Sequence, residues 1–488
     1  MRIVLLIRAS SDTTIPEVSI VHAVLSFLEA PRDLYRDYSL PPYTPTPYMP
    51  LFYFATAAVS IFLGPSVENT YLAGRLVSFS SFSASLTLVY LIARKLRVDR
   101  ASAILSVFLA GGTLIVIPWA ASCRPDFLAL FLSLLGIYLV SSDGGPSKSK
   151  IYVAGAAWSL ALFTKQLFFA APLAFLIITA RRQRLSTVAA PLLFFSLINA
   201  VVFISLNIAT NGLFFRNILV ANLADPSFED IPALIIRCLF PEFLIVLLLG
   251  AAGFLTHALL HYRHSNAATR DAEPYLGRMV MLANVISLLV FSLAVCKPGA
   301  AENYFYEPLF LSAILASIAF NRVRNAKAVS WRMFALVMLT GLWATYRSLD
   351  RGLVAHVRNS LTRPPSAYFE YLVLSTPGDI LFISNGFGLR SGRGTTLYDG
   401  FNASYLSARG EIDLSPIARK IESQSYSALL LQRDETYYGY RVTPARLEEA
   451  IDRYYHEAHN PCRPYPTRNC SGFRWLTPRP SGVLPPSP

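Results

Sequence analysis

The stretch Trp119-Ala-Ala-Ser-Cys-Arg-Pro-Asp126-Phe-Leu-Ala-Leu-Phe-Leu-Ser-Leu-Leu-Gly-Ile-Tyr-Leu-Val140 decides how the rest of the chain is read. A short polar turn ends in Arg-Pro-Asp, and an almost unbroken apolar run follows. A helix that crosses a bilayer needs about 20 mostly apolar residues, because lipid offers the backbone no hydrogen-bond partners. Runs of the same kind recur at 72–90, 101–120, 152–164, 167–178, 188–208, 234–257, 280–296, 305–320 and 333–345. The segment 48–64 is also apolar but rich in proline and aromatics, and it reads as a helix lying at the membrane interface. Composition agrees: of 488 residues 53% are hydrophobic and only 15% charged, against about 25% charged in soluble domains. The pattern is that of a polytopic membrane protein, mainly α.

The net charge of +13 is explained by where the cations fall. Arg94, Lys95, Arg97 and Arg100 follow the first span, and Lys148 and Lys150 the third. Arg181, Arg182 and Arg184 follow the fifth, Arg263, Arg270 and Arg278 the seventh, and Arg322, Arg324, Lys327 and Arg332 the ninth. Every second loop is basic, which places those loops in the cytoplasm. Residues 8–71, the turn at 122–126, the Lys165 region, 209–230, 297–304 and the chain beyond about 346 then face outward. No module pairing basic with aromatic residues is visible, so nucleic acid is not an expected partner. The five cysteines do not make a disulfide framework.

Residues 1–7 are apolar but too short to span, and they lack the features of a signal peptide. With 8–71 outside, the expectation is that a first helix lies upstream of Met1 or that residues 1–7 are its last turns. Beyond 346 the apolar runs shorten to strand length, as in 380–384 and 428–432. They alternate with helical stretches at 414–424 and 443–456, with glycine-rich turns at 386–394. Residues 347–477 therefore read as an extracytoplasmic α/β domain, in which Cys462 and Cys470 are able to pair under oxidising conditions. Residues 478–488 are proline-rich and read as disordered.

Ionisable groups near a membrane boundary are candidates for function, and here they gather on the outward side. They include Asp12, Glu17, Asp33, Arg36, Asp37, Arg75, Asp126, Lys165, Arg216, Asp225, Lys297 and Glu302. Such a collection suits a lipid-anchored phosphorylated substrate: cations would hold the phosphate, and a carboxylate would take a proton from an incoming hydroxyl. Each residue also has a plainer reading. Asp126 is well placed to cap a helix, Lys165 to snorkel at the interface, and Glu17 to be the acidic first turn of an amphipathic helix opened by Pro16. The tyrosine- and proline-rich segment 34–54 is an aromatic belt or the lining of a groove. His257, His261 and His264 have metal-capable spacing but read as a basic helix end, and no phosphate-binding glycine loop or nucleophile elbow is present.

The order of these motifs resembles the GT-C superfamily of integral membrane glycosyltransferases. They are Pro16-Glu17, Leu34-Tyr35-Arg36-Asp37, Arg75 early in a span, Arg124-Pro125-Asp126, Leu162-Phe-Thr-Lys165-Gln166 and Ala301-Glu-Asn303-Tyr304. The nearest likeness is to the branch with protein-mannosyltransferase-like, aminoarabinose-transferase-like and lipopolysaccharide galacturonosyltransferase-like members, and it covers roughly residues 10–320. The resemblance implies a transmembrane glycosyltransferase domain over 1–346, with 8–71 as its first extracytoplasmic loop, in a bacterial inner membrane. It implies a polyprenyl-phosphate sugar donor, a glycan, lipid or protein acceptor, and an inverting transfer.

By the same resemblance Glu17 stands at the second place of an acidic pair whose first place is Pro16 here. Glu17 is then the expected base, with Asp12 in reserve and Asp126 as the second acid. Lys165, with Arg75 and Arg216, is expected at the donor phosphate, and Tyr35, Arg36, Asp37, Asn303 and Tyr304 at substrate. A divalent cation is an open requirement. The rival readings are a transporter or lipid flippase and a non-catalytic envelope-assembly protein. The absence of an internal repeat and the one-sided clustering of polar groups weigh against transport.

Overall fold

The structure is a computed structural model. It describes residues 15–113, 116–141, 147–182, 185–223, 241–263, 275–294, 297, 300–325, 365–432, 436–437, 440–441, 443–459 and 473–480. Asp12, Asp225, the stretch 333–345, Cys462 and Cys470 lie outside these residues.

The chain opens with α1 (Ile15–Glu29) and α2 (Pro50–Leu63), two juxtamembrane helices joined by a loop with a 3-10 turn at Pro31–Leu34. The bundle follows: α3 (Val67–Lys95), α4 (Arg100–Gly111), α5 (Val116–Ala120), α6 (Asp126–Val140), α7 (Lys148–Leu162), α8 (Ala170–Arg182) and α9 (Leu185–Ala209). Then come α10 (Leu213–Ile218), α11 (Pro241–Arg263), α12 (Tyr275–Ala294) and α13 (Tyr306–Asn325). Among the described residues three helices are long and apolar enough to cross a membrane: α3, α12 and the segment Ala189–Ala209 of α9. The protein is a membrane protein built as a helix bundle.

Local chemistry sets the helix ends. Ser66 caps α3 by accepting from the Asn69 amide, and Asp99 caps α4 by accepting from the amides of Ala101 and Ser102. The stretch 101–120, expected as one span, is divided: α4 ends at Gly111 with Gly112 as its cap, and α5 is a separate short helix. Two consecutive glycines are poor helix formers, and Pro118 removes a backbone donor just beyond them.

The core of the bundle lies where α6 and α13 meet α3, α8 and α12, with Phe127, Leu130, Leu134, Phe310 and Ile314 fully buried. Phe127 stacks on Tyr306 with ring centroids 5.0 Å apart. Helices α11 and α13 pack backbone to backbone: a Cβ on Gly253 would fall 1.9 Å from the Leu315 carbonyl oxygen. Backbone cannot yield as a side chain can. Gly253→Ala is therefore expected to lower the melting temperature or the folded yield, in line with overpacking costs of about 1–3 kcal/mol or more. An unchanged melting curve would show that the two helices can separate freely.

The α/β unit begins at α14 (Pro365–Ser375) and continues through β1 (Ile380–Ile383), α15 (Phe387–Ser391), β2 (Thr395–Leu397), α16 (Gly400–Ala408), α17 (Ser415–Glu422) and β3 (Ala428–Gln432). It closes with the pair β4 (Thr436–Tyr437) and β5 (Tyr440–Arg441), then α18 (Ala445–Tyr454), β6 (Tyr455–His459) and β7 (Phe473–Pro478). The main sheet runs β2-β1-β3-β7-β6, parallel over its first three strands and antiparallel thereafter. All four residues of β1 are buried, as a strand covered on both faces requires.

The carboxyl ends of β1 and β2 face the bundle. Tyr398, just after β2, packs on His22 of α1 with ring centroids 4.5 Å apart, and Arg390 lies over the Tyr71 ring at 5.6 Å. The Tyr405 hydroxyl donates to the Leu223 carbonyl at 3.3 Å, and Arg409 donates to the carbonyls of Val220, at 3.2 Å, and Leu223.

Candidate active site

Two buried clusters of charge meet at the bundle end that faces the α/β unit. The first joins α1 to α3. Both oxygens of Glu17 accept from Arg75, at 3.1 Å from Nε and 3.0 Å from Nη2, and Oε1 also accepts from the Cys123 amide at 2.6 Å. Glu17 is 0% exposed and Arg75 1%. The approach of the 121–125 turn depends on Gly74, where a Cβ would fall 2.0 Å from the Cys123 sulfur. Arg75 also lies over the Tyr71 ring at 5.3 Å.

A buried ion pair that loses one partner strands the other charge, at a cost of roughly 3–5 kcal/mol. Glu17→Gln is accordingly expected to cost stability of that order, read as a lower thermal midpoint, with Arg75→Met less harmful in the same background than alone. Additive losses from the two changes would mean that the pair is not an interacting unit.

The second cluster is centred on Asp126, the first residue of α6. Its Oδ1 accepts from Lys165 Nζ at 2.6 Å and from Asn303 Nδ2 at 2.6 Å, and its Oδ2 accepts from Arg124 Nε at 3.3 Å. Lys165 stands in the turn between α7 and α8 and lies over the Tyr304 ring at 4.7 Å. Burial lowers its pKa, and Asp126 draws it back up. Arg124 reaches the Tyr48 hydroxyl at 3.2 Å and lies over the Trp119 ring at 4.1 Å. Asn303 Oδ1 and Gln166 Oε1 are buried without a hydrogen-bond partner among the described residues. One of these acceptors belongs to the amide that holds the Asp126 carboxylate and the other follows Lys165 in sequence, and both suit a ligand that brings O–H or N–H donors.

The sequence-derived candidates thus fall into separate places. Asp126, Lys165, Asn303 and Tyr304 converge on one point. Glu17 and Arg75 pair with each other, and the chain links them to the Asp126 cluster through Cys123 and Arg124. Arg216 is half exposed and pairs with Asp37 at 3.6 Å, while Arg36 pairs with Asp33 at 2.8 Å. Tyr35 is buried, donating to the Tyr48 carbonyl at 3.0 Å and packing edge-on against Phe214. Tyr35, Arg36 and Asp37 therefore all have partners within the loop and its packing against α10.

Sequence reasoning ranked Lys297 no higher than its neighbours. Its Nζ donates to Asn222 Oδ1 at 2.8 Å. Asn222 and Gln166 both donate to the Pro47 carbonyl, at 3.1 and 3.4 Å, which fastens the first loop beneath this lysine. Burial, and then the like charge of Lys165, bring the pKa of Lys297 down to about 8. Asp399, at the cap of α16, comes from the α/β unit. It accepts from the Asn402 amide at 3.0 Å, and burial raises its pKa against the lowering pull of Asn402 and Arg124. Among the described residues no group of three or more His, Cys, Asp or Glu converges as a metal site would require.

The architecture has solved counterparts. The chain superposes on ArnT from Cupriavidus metallidurans bound to undecaprenyl phosphate with a TM-score of 0.57, at 12% identity, over 100% of this chain and 97% of that one. Apo ArnT gives 0.55 at 13% identity, covering 88% and 91%. The archaeal oligosaccharyltransferase AglB from Archaeoglobus fulgidus, in complex with an inhibitory peptide and a dolichol-phosphate, gives 0.54 at 12% identity, covering 98% and 71%. The chain has a GT-C-like fold. At this identity the likeness is one of fold. No protein-family profile matches the sequence, and no curated protein matches it.

Proposed function

We propose that this GT-C-like protein is an inverting glycosyltransferase. It moves a sugar from a polyprenyl-phosphate donor to an acceptor hydroxyl at the bundle end that carries Asp126. The observation that carries the reading is the buried convergence of Asp126, Lys165 and Asn303 at that end. The fold likeness to ArnT bound to undecaprenyl phosphate and to AglB with dolichol-phosphate supports it. In this reading the site end faces outward: the basic Arg94, Lys95, Arg181, Arg182, Arg322 and Arg324 stand in the last turns of their helices, and Lys95 bonds the carbonyls of Tyr138 and Ser141 at the end of α6 opposite Asp126, which supports it.

In this reading the acceptor oxygen attacks the anomeric carbon, and the bond from that carbon to the phosphate oxygen breaks. The phosphate leaves with the electron pair, and the acceptor proton passes to Asp126. Lys165 connects the two halves. With no donor bound it neutralises Asp126 at 2.6 Å. A lysine is a compact charge on a flexible stem, so a nearby phosphate draws it away and uncovers a carboxylate oxygen. Glu17 is held differently, by a bidentate arginine and a backbone amide. Its role is to fix Arg75 and the 121–125 turn from which Asp126 projects. Stranded acceptors on Asn303 and Gln166 take sugar hydroxyls. Asp126 is flanked by Lys165 and Arg124, and Glu17 by Arg75. That donor set does not fit a divalent cation, and no step is assigned to one.

The test is release of polyprenyl phosphate from radiolabelled polyprenyl-phosphate sugars by the purified protein. Release by the wild type and its loss in Asp126→Asn is the expected result. A folded wild type that releases nothing from any such donor overturns the reading.

A further inference from the structure

Glu307 lies in the first turn of α13, 1% exposed. Its partners are hydroxyls on two other helices: Ser133 of α6 donates at 2.6 Å and Ser287 of α12 at 3.0 Å. A carboxyl group among residues such as Phe127, Leu130, Leu134 and Phe310 is costly to bury, and it forms no part of the transfer chemistry.

Helix geometry relates it to the site. Ser133 follows Asp126 by seven residues, two turns on the same face and about 10 Å further along the axis. Asn303 lies in the 3-10 turn Glu302–Phe305 that leads directly into α13, four residues before Glu307. Helix α6 is therefore joined twice to this stretch of chain, by Asn303, just ahead of α13, to Asp126 above and by Glu307 of α13 to Ser133 below. The stacked rings of Phe127 and Tyr306 lie between the two links. Ser287 brings in α12, whose chain leads on to Lys297. Apolar side chains on a helix face tolerate sliding, whereas hydrogen bonds at 2.6 and 3.0 Å do not.

We propose that Glu307 is a positioning residue that fixes the axial register of α6, α12 and α13 and so holds Asp126 against Asn303. The inference rests on the reading of Asp126 as the catalytic carboxylate, but its register component is tested without turnover. Glu307→Met removes a carboxyl that is costly to bury, and the Ser133 and Ser287 hydroxyls can turn to the carbonyls four residues back in their own helices. We expect Glu307→Met to fold with an unchanged or higher melting temperature. We also expect kcat to fall about tenfold or more with the donor KM within about twofold, since a shift near 1 Å at a reacting group costs up to about 100-fold. Glu307→Gln keeps an acceptor and adds a donor, and is expected to restore kcat to within about threefold of wild type on the same reasoning.

The second arm measures melting temperatures of Asp126→Ala, Asn303→Ala and the double variant, each of which removes the contact between them, with Glu307 and with Met in its place. The non-additivity between the two sites is expected to vanish in the Met background. Wild-type kcat in Glu307→Met, or non-additivity that persists there, overturns the proposal. So does Glu307→Gln as impaired as Glu307→Met, which would assign the carboxyl a chemical role. A wild type that releases no polyprenyl phosphate defeats the functional reading alone, since the melting arm still reports on register.

Discussion

Asp126→Asn is expected to lower kcat for sugar transfer by about 100- to 10,000-fold, the span associated with loss of a general base. The amide keeps the shape of the carboxylate and one acceptor oxygen, so Asn303 and Lys165 still have a partner. It cannot take the acceptor proton, and it leaves Lys165 without its counter-ion. That second effect has its own signature. A lysine no longer neutralised is free for the phosphate, so binding of polyprenyl phosphate, measured by protection against heat, should be retained or strengthened while turnover is lost. A variant that loses binding and turnover together would place Asp126 in the architecture of the site rather than in its chemistry. Glu17→Gln supplies the contrast, because it should lose stability first and activity only as a consequence.

Lys297→Gln is expected to raise the donor KM by about 10- to 100-fold, the value of a charged hydrogen bond to phosphate. Lys165, Arg75 and Arg216 each have a carboxylate partner, whereas among the described residues the partner of Lys297 is the neutral Asn222. The pH dependence carries a sign. With its pKa brought down to about 8, first by burial and then by Lys165, Lys297 is cationic below that pH and loses its charge above it. The kcat/KM of the wild type should therefore fall as pH rises through about 8, and Lys297→Gln should lack that limb. Stability runs the other way. The unfolded chain holds this proton up to its ordinary lysine value of 10.5, so the folded state gains stability as pH rises from about 8 toward it. A wild-type profile without a limb near 8 would remove Lys297 from donor binding.

The bundle was legible because apolar runs separated by alternately basic loops fit a set of membrane spans and little else. Asp126 was legible for a local reason: an acid directly after Arg-Pro and directly before an apolar run must sit at a helix start near the boundary. Lys165 and Asn303 were visible as polar residues set in apolar surroundings. Their meeting at 2.6 Å from one carboxylate oxygen was not, since 39 and 177 residues separate them from Asp126. Arg75 was visible as a charge early in a span, but its partner Glu17 stands 58 residues away. Lys297 reads in sequence as an ordinary loop lysine before Pro298 and Gly299. Its bond to Asn222, which also holds the Pro47 carbonyl of the first loop, sets it apart. Glu307 resembles any acid in a first helical turn, where the dipole alone would justify it. Only the two serines from other helices distinguish it.

The α/β unit grips the bundle through main-chain oxygens at Val220 and Leu223, on either side of Asn222. Acceptors of this kind are indifferent to which side chains sit at 220 and 223, so drift at those two positions leaves the grip intact. The burden falls instead on the donors Arg409 and Tyr405. Through Asn222 they steady Lys297, whose loss is expected to weaken donor binding, which makes the α/β lobe a strut rather than an appendage. A lobe grafted onto this bundle would have to bring donors to the same pair of oxygens as well as a ring to meet His22 and a guanidinium to meet Tyr71.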